Sequence, residues 1–558
     1  MTRIAAEEYL DALAAQGIEY LFCNPGTDFA PIVEAYSRAA RTNRKVPKPL
    51  VIPHENCAVA MAHAYTAVTG NAQAVMLHTN VGTANAINML IDASRDRIPM
   101  LLSSGRTPFT ETGAEGSRSA YIHWAQEMFD QAGMLREMVK WDYEMKRGDQ
   151  AGIVVDRAME MACSSPQGPV YLSLPREVLG ETVAAAESNR AHRARPRPPE
   201  AAPRDIEQLA DWIAAAKNPL IITGMLGRDP RDSEALARLA DRYALAVVPF
   251  NTRYFALSSN HKMYQGSAPG PLLEDADLVI VFEADVPWIP SREAPAAGAK
   301  IVQIGEDPLH ARLPMRGFPS DLTLTATCLS VLRGLETALA GRETTGVDAR
   351  KSQLTERSDA LRKSWREEAE HAGKANTISL PWLNNCLCDI IDDDSIVVNE
   401  YSFRQEYCPL NQPGGLYSIS SAGGLGWGLP ASLGVKLASP DKFVLSVLGD
   451  GAYMFANPTA CHYTSQILQL PTLSVIYNNA LYGAVRRATL DMYAHGVAAE
   501  ADGRLLADLP APDFEKIVAV HGGHGERVER PADLPAALRR AADAVRGGQQ
   551  ALVNVICP

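Results

Sequence analysis

The sequence predicts an α/β protein of three doubly wound domains, each a parallel sheet with helices on both faces. Three observations carry this. The chain has 558 residues, too many for one hydrophobic core and suited to about three domains of ordinary size. Short apolar runs alternate with helix-patterned stretches along the chain, as in parallel sheets joined by crossover helices. Two polar stretches, proline-rich at 186–204 and charged at 341–374, interrupt that alternation and read as connectors.

In the first block, residues 1–185, strands are expected at 20–23, 49–52, 74–79, 99–105 and 170–174, with helices near 5–16, 30–40, 55–69, 83–95 and 150–163. Pro53-His54-Glu55-Asn56 follows a short apolar strand and opens a helix that ends near Gly70. The middle block, 205–340, repeats the pattern with strands at 219–223, 246–249, 278–282 and 300–304. Gly224 and Gly227, just after the first of these, resemble a nucleotide-type turn without the full dinucleotide fingerprint. The charged connector, with Arg362-Lys363-Ser364-Trp365-Arg366-Glu367-Glu368, reads as helical. In the third block, 375–558, the run 442–448 reads as a buried parallel strand. Asn457-Pro458 then supplies an N-cap with proline at the first helical position, and the helix runs to about Gln469. A second strand is expected at 471–477, and 525–528 and 551–556 complete the sheet.

Composition narrows the function. Hydrophobic residues make up 46% of the chain, enough for well-packed cores, and the formal net charge of −12 argues against a nucleic-acid groove. No stretch approaches the roughly 20 apolar residues of a membrane span. Met1-Thr2-Arg3, running into the amphipathic 5–16 helix, lacks a signal-peptide core. The nine cysteines are scattered without zinc spacing, so they read as reduced packing residues of a cytoplasmic protein. Cys23, in the turn before Asn24-Pro25-Gly26, is a candidate to line a site.

Gly449-Asp450-Gly451 and Asn478-Asn479 lie at the ends of two successive strands, separated by one helix. Ligands of parallel α/β sheets bind at that strand end. A glycine-flanked carboxylate, a carboxamide and a nearby backbone carbonyl form an oxygen set suited to magnesium (or calcium), which shares its shell with phosphate and water. Asp450, Asn479 and the carbonyl of Leu481 are the expected ligands.

This spacing resembles the motif of thiamine-diphosphate (ThDP) enzymes, and the resemblance covers almost the whole chain. It is to the acetolactate synthase and benzoylformate decarboxylase family. Asn24-Pro25-Gly26-Thr27, Leu77-His78-Thr79, Gly82-Thr83-Ala84-Asn85-Ala86, Val139-Lys140-Trp141, Asn399-Glu400 and Ala422-Gly423-Gly424-Leu425-Gly426 carry the likeness to the decarboxylase branch. It implies an N-terminal domain for the cofactor's pyrimidine, a central domain, and a C-terminal domain for its diphosphate. Glu55 matches the acid whose hydrogen bond to the pyrimidine favours the imino tautomer that generates the ylid. Thr27 stands where the decarboxylases have a substrate-contacting serine, and His78 matches a proton-transferring histidine. Leu425, beside Gly424, matches the residue that bends the cofactor. Asn24, Pro25, Gly26, Tyr401, Ser402, Gly449, Gly451, Ala452, Tyr482 and Gly483 complete the implied cofactor contacts.

The likeness has a gap. Where the decarboxylases carry a second histidine, this chain reads Asp285-Val286-Pro287-Trp288-Ile289-Pro290. His123 and Gln126 are the substitutes the sequence offers, Gln126-Glu127 resembling the acetolactate synthase and acyl-CoA lyase branches. Trp288 and Tyr482 are candidates for an apolar wall. The leading expectation is decarboxylation of a 2-oxo acid through a ThDP ylid and enamine. The alternative is a carboligase or 2-hydroxyacyl-CoA lyase. Some relatives bind flavin (FAD) in the central domain; a structural role is favoured here. The resemblance also implies self-assembly, a dimer or tetramer with sites shared between subunits.

Overall fold

The structure, a computed structural model, describes residues 3–184, 195–510 and 512–557. Of the proline-rich connector, 186–194 lie outside the described residues, and its remainder leads into the helix Pro203–Ala215. Three parallel sheets of six, five and six strands form among the described residues, as the alternation predicts. They belong to two compact units.

The first unit takes the chain through Arg197 together with Ser420–Pro440 and Met454–Leu470. Its sheet runs in the order Lys48–Val51, Tyr20–Asn24, Gln73–Leu77, Met100–Arg106, Pro169–Pro175, Asp142–Glu144, with every neighbouring pair parallel. Gln73–Leu77 and Pro169–Pro175 are buried at every position, as strands covered on both faces must be. The strand expected at 74–79 stops at Leu77, and the helix Thr79–Arg95 begins four residues ahead of the expected 83. Its first turn, Thr79-Asn80-Val81-Gly82, holds weak helix formers, so the apolar periodicity starts only at Thr83.

The helix Glu55–Thr69 is buried along nearly all its length and closes on Gly70 at φ 72°, whose N–H donates to the Thr66 carbonyl at 2.8 Å. It packs against Gly428–Ala438. A Cβ on Gly434 would overlap the carbonyl of Met61, so that glycine sets how near the two helices approach. Asn457 does precede the helix Pro458–Leu468, but it makes no side-chain cap bond. It contributes a left-handed backbone, φ 55°, which asparagine tolerates better than most residues.

The remainder of the described chain forms the second unit, with two sheets. The central one has the order Ala246–Pro249, Pro219–Thr223, Leu278–Phe282, Lys300–Gly305, Leu322–Thr325. The charged connector is the helix Val347–Ala372. Its buried Arg350 donates to the carbonyls of Ala216, Tyr243 and Ala244, satisfying acceptors that the ends of two helices leave over. The other sheet runs Leu416–Ser418, Ser395–Glu400, Phe443–Gly449, Leu473–Asn478, Ala551–Ile556, His524–Val528. Asp450 and Asn479 each follow a strand at its C-terminal end, where the sequence places them.

Candidate active site

In the first unit the candidate residues gather around two helix starts. Glu55 is the first residue of its helix, and His54 before it caps the helix, Nδ1 accepting from the Asn56 N–H at 3.3 Å. The Glu55 side chain turns inward, 8% exposed. Its Oε2 accepts from Asn85 Nδ2 at 3.2 Å, and a Cβ on Gly82 would stand 3.2 Å from Oε1.

His78 occupies the cap position of Thr79–Arg95, yet its side chain makes no cap bond. Its Nδ1 lies 2.5 Å from Oδ1 of Asp28, and Asp28 Oδ2 accepts from the Thr79 N–H at 3.3 Å. Asp28 is 3% exposed, in the turn Thr27–Phe29 that follows the strand Tyr20–Asn24. The hydrogen bond to Asp28 raises the imidazole pKa above its ordinary value; burial opposes this, and the charges of Asp28 and Glu55 add to the rise. Gln126 brings its Nε2 within 3.4 Å of His78 Nε2. Two glycines clear this space: a Cβ on Gly26 would overlap the His78 ring, and one on Gly105 would overlap the Asp28 carboxylate.

Thr27 is exposed in the same turn. Asn24 Nδ2 donates to the Ile52 carbonyl at 2.9 Å, tying two strand ends together, and Pro25 is exposed beside it. His123 is buried on the short helix Ile122–Ala125. Its Nδ1 accepts from the N–H groups of Ser119 and Ala120 at 3.0 and 3.3 Å. Burial lowers its pKa, and the charges of Arg176 and Arg118 lower it further. Cys23 does not line the site: it packs in the core, and burial pushes its thiol up to about 12.

Leu425 also belongs to the first unit. The Gly424 N–H donates to Asp92 Oδ1 and Asn88 Nδ2 donates to the Leu425 carbonyl, each at 3.0 Å. Asn85, Asn88 and Asp92 follow at helical spacing on Thr79–Arg95 and so share one face. That face holds both the Glu55 carboxylate and the Gly424-Leu425 backbone.

In the second unit, Asp450 is 3% exposed. Its Oδ1 accepts from the Gly451 N–H at 2.7 Å and its Oδ2 from the Leu481 N–H at 3.3 Å. Asn479 Oδ1 accepts from that same Leu481 N–H at 3.2 Å, so two side-chain oxygens converge on one amide. Burial raises the Asp450 pKa, while backbone N–H groups at Gly451, Leu481, Ala480 and Asn479 pull it back. A buried carboxylate beside a carboxamide oxygen fits a hard divalent cation. Among the described residues no trio of His, Cys, Asp or Glu side chains is arranged for a metal, so this mixed oxygen set is the candidate. A Cβ on Gly451 would approach the Tyr482 ring to 3.0 Å. Ala452 is buried, Gly449 and Gly483 partly so. Ser402 is buried, its carbonyl accepting from Asn384 Nδ2 at 2.9 Å. Tyr401, at φ 73° and half-exposed, borders a cavity of about 320 Å³ together with Asn251, Thr252, Arg404 and Gln405.

The central-domain turn is occupied by the chain itself. A Cβ on Gly224 would lie 3.2 Å from Arg253 Nη1, and the buried Arg253 guanidinium pairs with Asp285 at 2.5 Å. Trp288 is core, edge-on to Phe318 with centroids 5.1 Å apart; it is no wall of the site.

Sequence reasoning missed Asp28, Asn85 and Gly105 as site residues. Asp28 carried a signal: it directly follows the Asn24-Pro25-Gly26-Thr27 motif at a strand's C-terminal end.

Three family models match the chain: the N-terminal TPP binding domain of thiamine pyrophosphate enzymes over residues 4–134, their central domain over 206–335, and their C-terminal TPP binding domain over 400–555. Benzoylformate decarboxylase of Pseudomonas aeruginosa is 27% identical over 561 residues, covering 96% of each chain. The mitochondrial acetolactate synthase catalytic subunit of Aspergillus candidus is 24% identical, covering 96% of this chain and 78% of its own. The thiamine diphosphate-dependent 4-hydroxybenzoylformate decarboxylase of Rhodococcus jostii superposes with a TM-score of 0.78 at 20% identity, over 100% of this chain and 99% of its own.

Proposed function

The chain belongs to the thiamine pyrophosphate enzyme family, and on that premise we propose that it catalyses magnesium-dependent, non-oxidative decarboxylation of a 2-oxo acid. The observation that carries the reading is His78, held by Asp28 with its second nitrogen turned to Gln126. Loss of carbon dioxide leaves a carbon that needs a proton before an aldehyde can form, and a protonatable imidazole answers that need.

When bound, thiamine diphosphate supplies the nucleophilic carbon and the electron sink. Asp450, Asn479 and the Leu481 carbonyl would hold the magnesium ion. Ser402, Gly449, Gly451, Ala452, Tyr482 and Gly483 would surround the diphosphate, and Glu55 would exchange a proton with the pyrimidine. Leu425 would support the cofactor, and Thr27 would meet the substrate. The Arg253–Asp285 pair beside Gly224 favours a structural central domain over a flavin site.

One observation supports a second reading. Gln126, whose Gln-Glu context resembles the carboligase branch, contacts His78. That would suit a carboligase, in which a second carbonyl takes the place of the proton, or a 2-hydroxyacyl-CoA lyase, in which C–C cleavage of a hydroxyacyl thioester releases an aldehyde. The resemblance further supports a homodimer or tetramer.

The test supplies purified protein with thiamine diphosphate and magnesium, then a panel of aromatic, branched and short 2-oxo acids, each with and without an acceptor aldehyde. Carbon dioxide with the matching aldehyde is expected. A hydroxyketone as the main product would replace the decarboxylase by the carboligase. No turnover of any 2-oxo acid would overturn both, and cleavage of a 2-hydroxyacyl thioester to an aldehyde would then establish the lyase.

A further inference from the structure

We propose that Asp28 is a positioning residue that holds His78 as a charged imidazolium with its Nε2–H directed into the site, Gln126 accepting from it. This rests on the decarboxylase reading and deepens it by assigning the group that keeps the proton-carrying ring charged and oriented.

The geometry fixes the ring's chemistry. Asp28 is nearly fully buried and reaches His78 Nδ1 at 2.5 Å. A carboxylate only accepts, so Nδ1 carries a hydrogen. Beside the ring the carboxylate has the Thr79 N–H at 3.3 Å, and a buried charge with so few partners is best answered by an opposite charge. Gly26 and Gly105 keep the pair possible, since a side chain at either would overlap one of its members.

Gln126 is the partner of the other nitrogen. Its Nε2 lies 3.4 Å from His78 Nε2, while its own Oε1 is buried without a hydrogen-bond partner. The two ends of a carboxamide are assigned from the hydrogen-bond network, and half a turn exchanges them. In the orientation given, the amide N–H donates to the bare Nε2 of a neutral ring. In the exchanged one the oxygen accepts from an Nε2–H, and with Nδ1 already protonated against Asp28 that ring is the imidazolium.

The surrounding charges agree. Asp28 and Glu55 both raise the His78 pKa against the opposing effect of burial. His123 is electrostatically coupled to His78: its pKa is lowered by burial, by Arg176 and Arg118 and by His78 itself, against an opposing Glu177, and its Nδ1 accepts two backbone N–H bonds. The two histidines are thus driven in opposite directions, an arrangement that separates an acid from a neutral neighbour.

The charged ring then has two tasks. It attracts the carboxylate of a 2-oxo acid. After the C–C bond breaks, carbon dioxide departs and the bonding pair stays on the substrate carbon. There the Nε2–H bond breaks and a C–H bond forms, and solvent restores the proton to the ring.

Asp28→Asn tests this, because it keeps the side chain's shape and an acceptor while removing the charge. Histidine-labelled protein without cofactor is followed by NMR across pH, with His78→Gln giving the assignment. The wild-type ring should be doubly protonated at about pH 7, and in Asp28→Asn its titration should move to lower pH. With cofactor and a turned-over substrate, the alkaline limb of kcat should move the same way. A merely structural Asp28 would lower stability and leave both where they were, which overturns the proposal. If Asp28→Asn does not fold, a neutral wild-type ring at about pH 7 overturns it equally and a doubly protonated one sustains it. A shifted titration in a protein that decarboxylates nothing would sustain Asp28 and overturn the function reading alone.

Discussion

Asn85 donates to the Glu55 carboxylate at 3.2 Å across two helices of the first unit, leaving Oε1 flanked by the open Cα of Gly82. One oxygen of Glu55 is thereby held and the other has space beside it. A carboxylate that must exchange a proton with a ring needs such an arrangement: a fixed side chain with one oxygen available.

Glu55→Gln should therefore keep the fold, the Asn85 contact and the affinity for thiamine diphosphate, and lose about a hundredfold or more of turnover, the scale of a missing acid–base group. Calorimetry of cofactor binding beside steady-state kinetics checks both halves. Near-normal kcat would remove Glu55 from the proton path. Asn85→Ala should fall between, because Glu55 keeps its acidity and loses its fixed orientation.

Gly26→Ala and Gly105→Ala should each destabilise the first unit by about 1–3 kcal/mol, the usual cost of forcing extra atoms into a packed site, and each should impair turnover. Gly180→Ala is the control, since a Cβ there meets no heavy atom within 4 Å. Denaturant titration of the three variants gives the comparison. Equal stability of all three would mean that the His78–Asp28 pair yields easily.

Much of this was legible in the chain, for identifiable reasons. The runs 219–223, 246–249, 278–282 and 551–556 are predominantly apolar stretches that become buried strands, and their limits agree with the structure. Asp142–Glu144, Leu322–Thr325 and Leu416–Ser418 went unread because they are three or four residues long and carry no continuous apolar run, too short for a period to show. Ala246–Pro249, an edge strand of four residues, shows because all of them are apolar and buried. Local motifs led to Glu55, His78, Asp450 and Asn479. Asp28 required knowing that a turn at one strand end meets a helix start 50 residues later, and no local pattern encodes that contact. Trp288 shows the converse: an aromatic in a suggestive place that the core simply uses.

His78 should also make stability depend on pH, with a definite sign. Its folded pKa is raised by Asp28 above the unfolded value of about 6.5. The folded state then binds the proton more tightly, and the resulting stabilisation is fully present below the unfolded pKa. It is lost as pH rises through the folded one. The stability gap between wild type and His78→Gln should therefore be larger at about pH 5.5 than at about pH 9. Unfolding by urea at a series of pH values measures it. A gap that stayed constant would mean the Asp28 contact does not alter the histidine's proton affinity.

A substitution at Asp450 separates metal binding from folding. The carboxylate is buried, and burial alone disfavours its charge; backbone N–H groups compensate in part, and a bound cation would complete the compensation. Asp450→Ala removes the charge together with the need to balance it, so the unliganded variant should remain folded. What it should lose is the response to ligand. Thermal or denaturant stability of the wild type should rise when thiamine diphosphate and magnesium are added together, by about 2.7 kcal/mol at a hundredfold excess over the dissociation constant. The variant should show almost none of that rise. Asn479→Ala, which removes the second oxygen converging on the Leu481 amide, should weaken the response without abolishing it, because the charged ligand remains. A variant lacking Asp450 that still gained full stability from the pair would place the cation elsewhere in the chain.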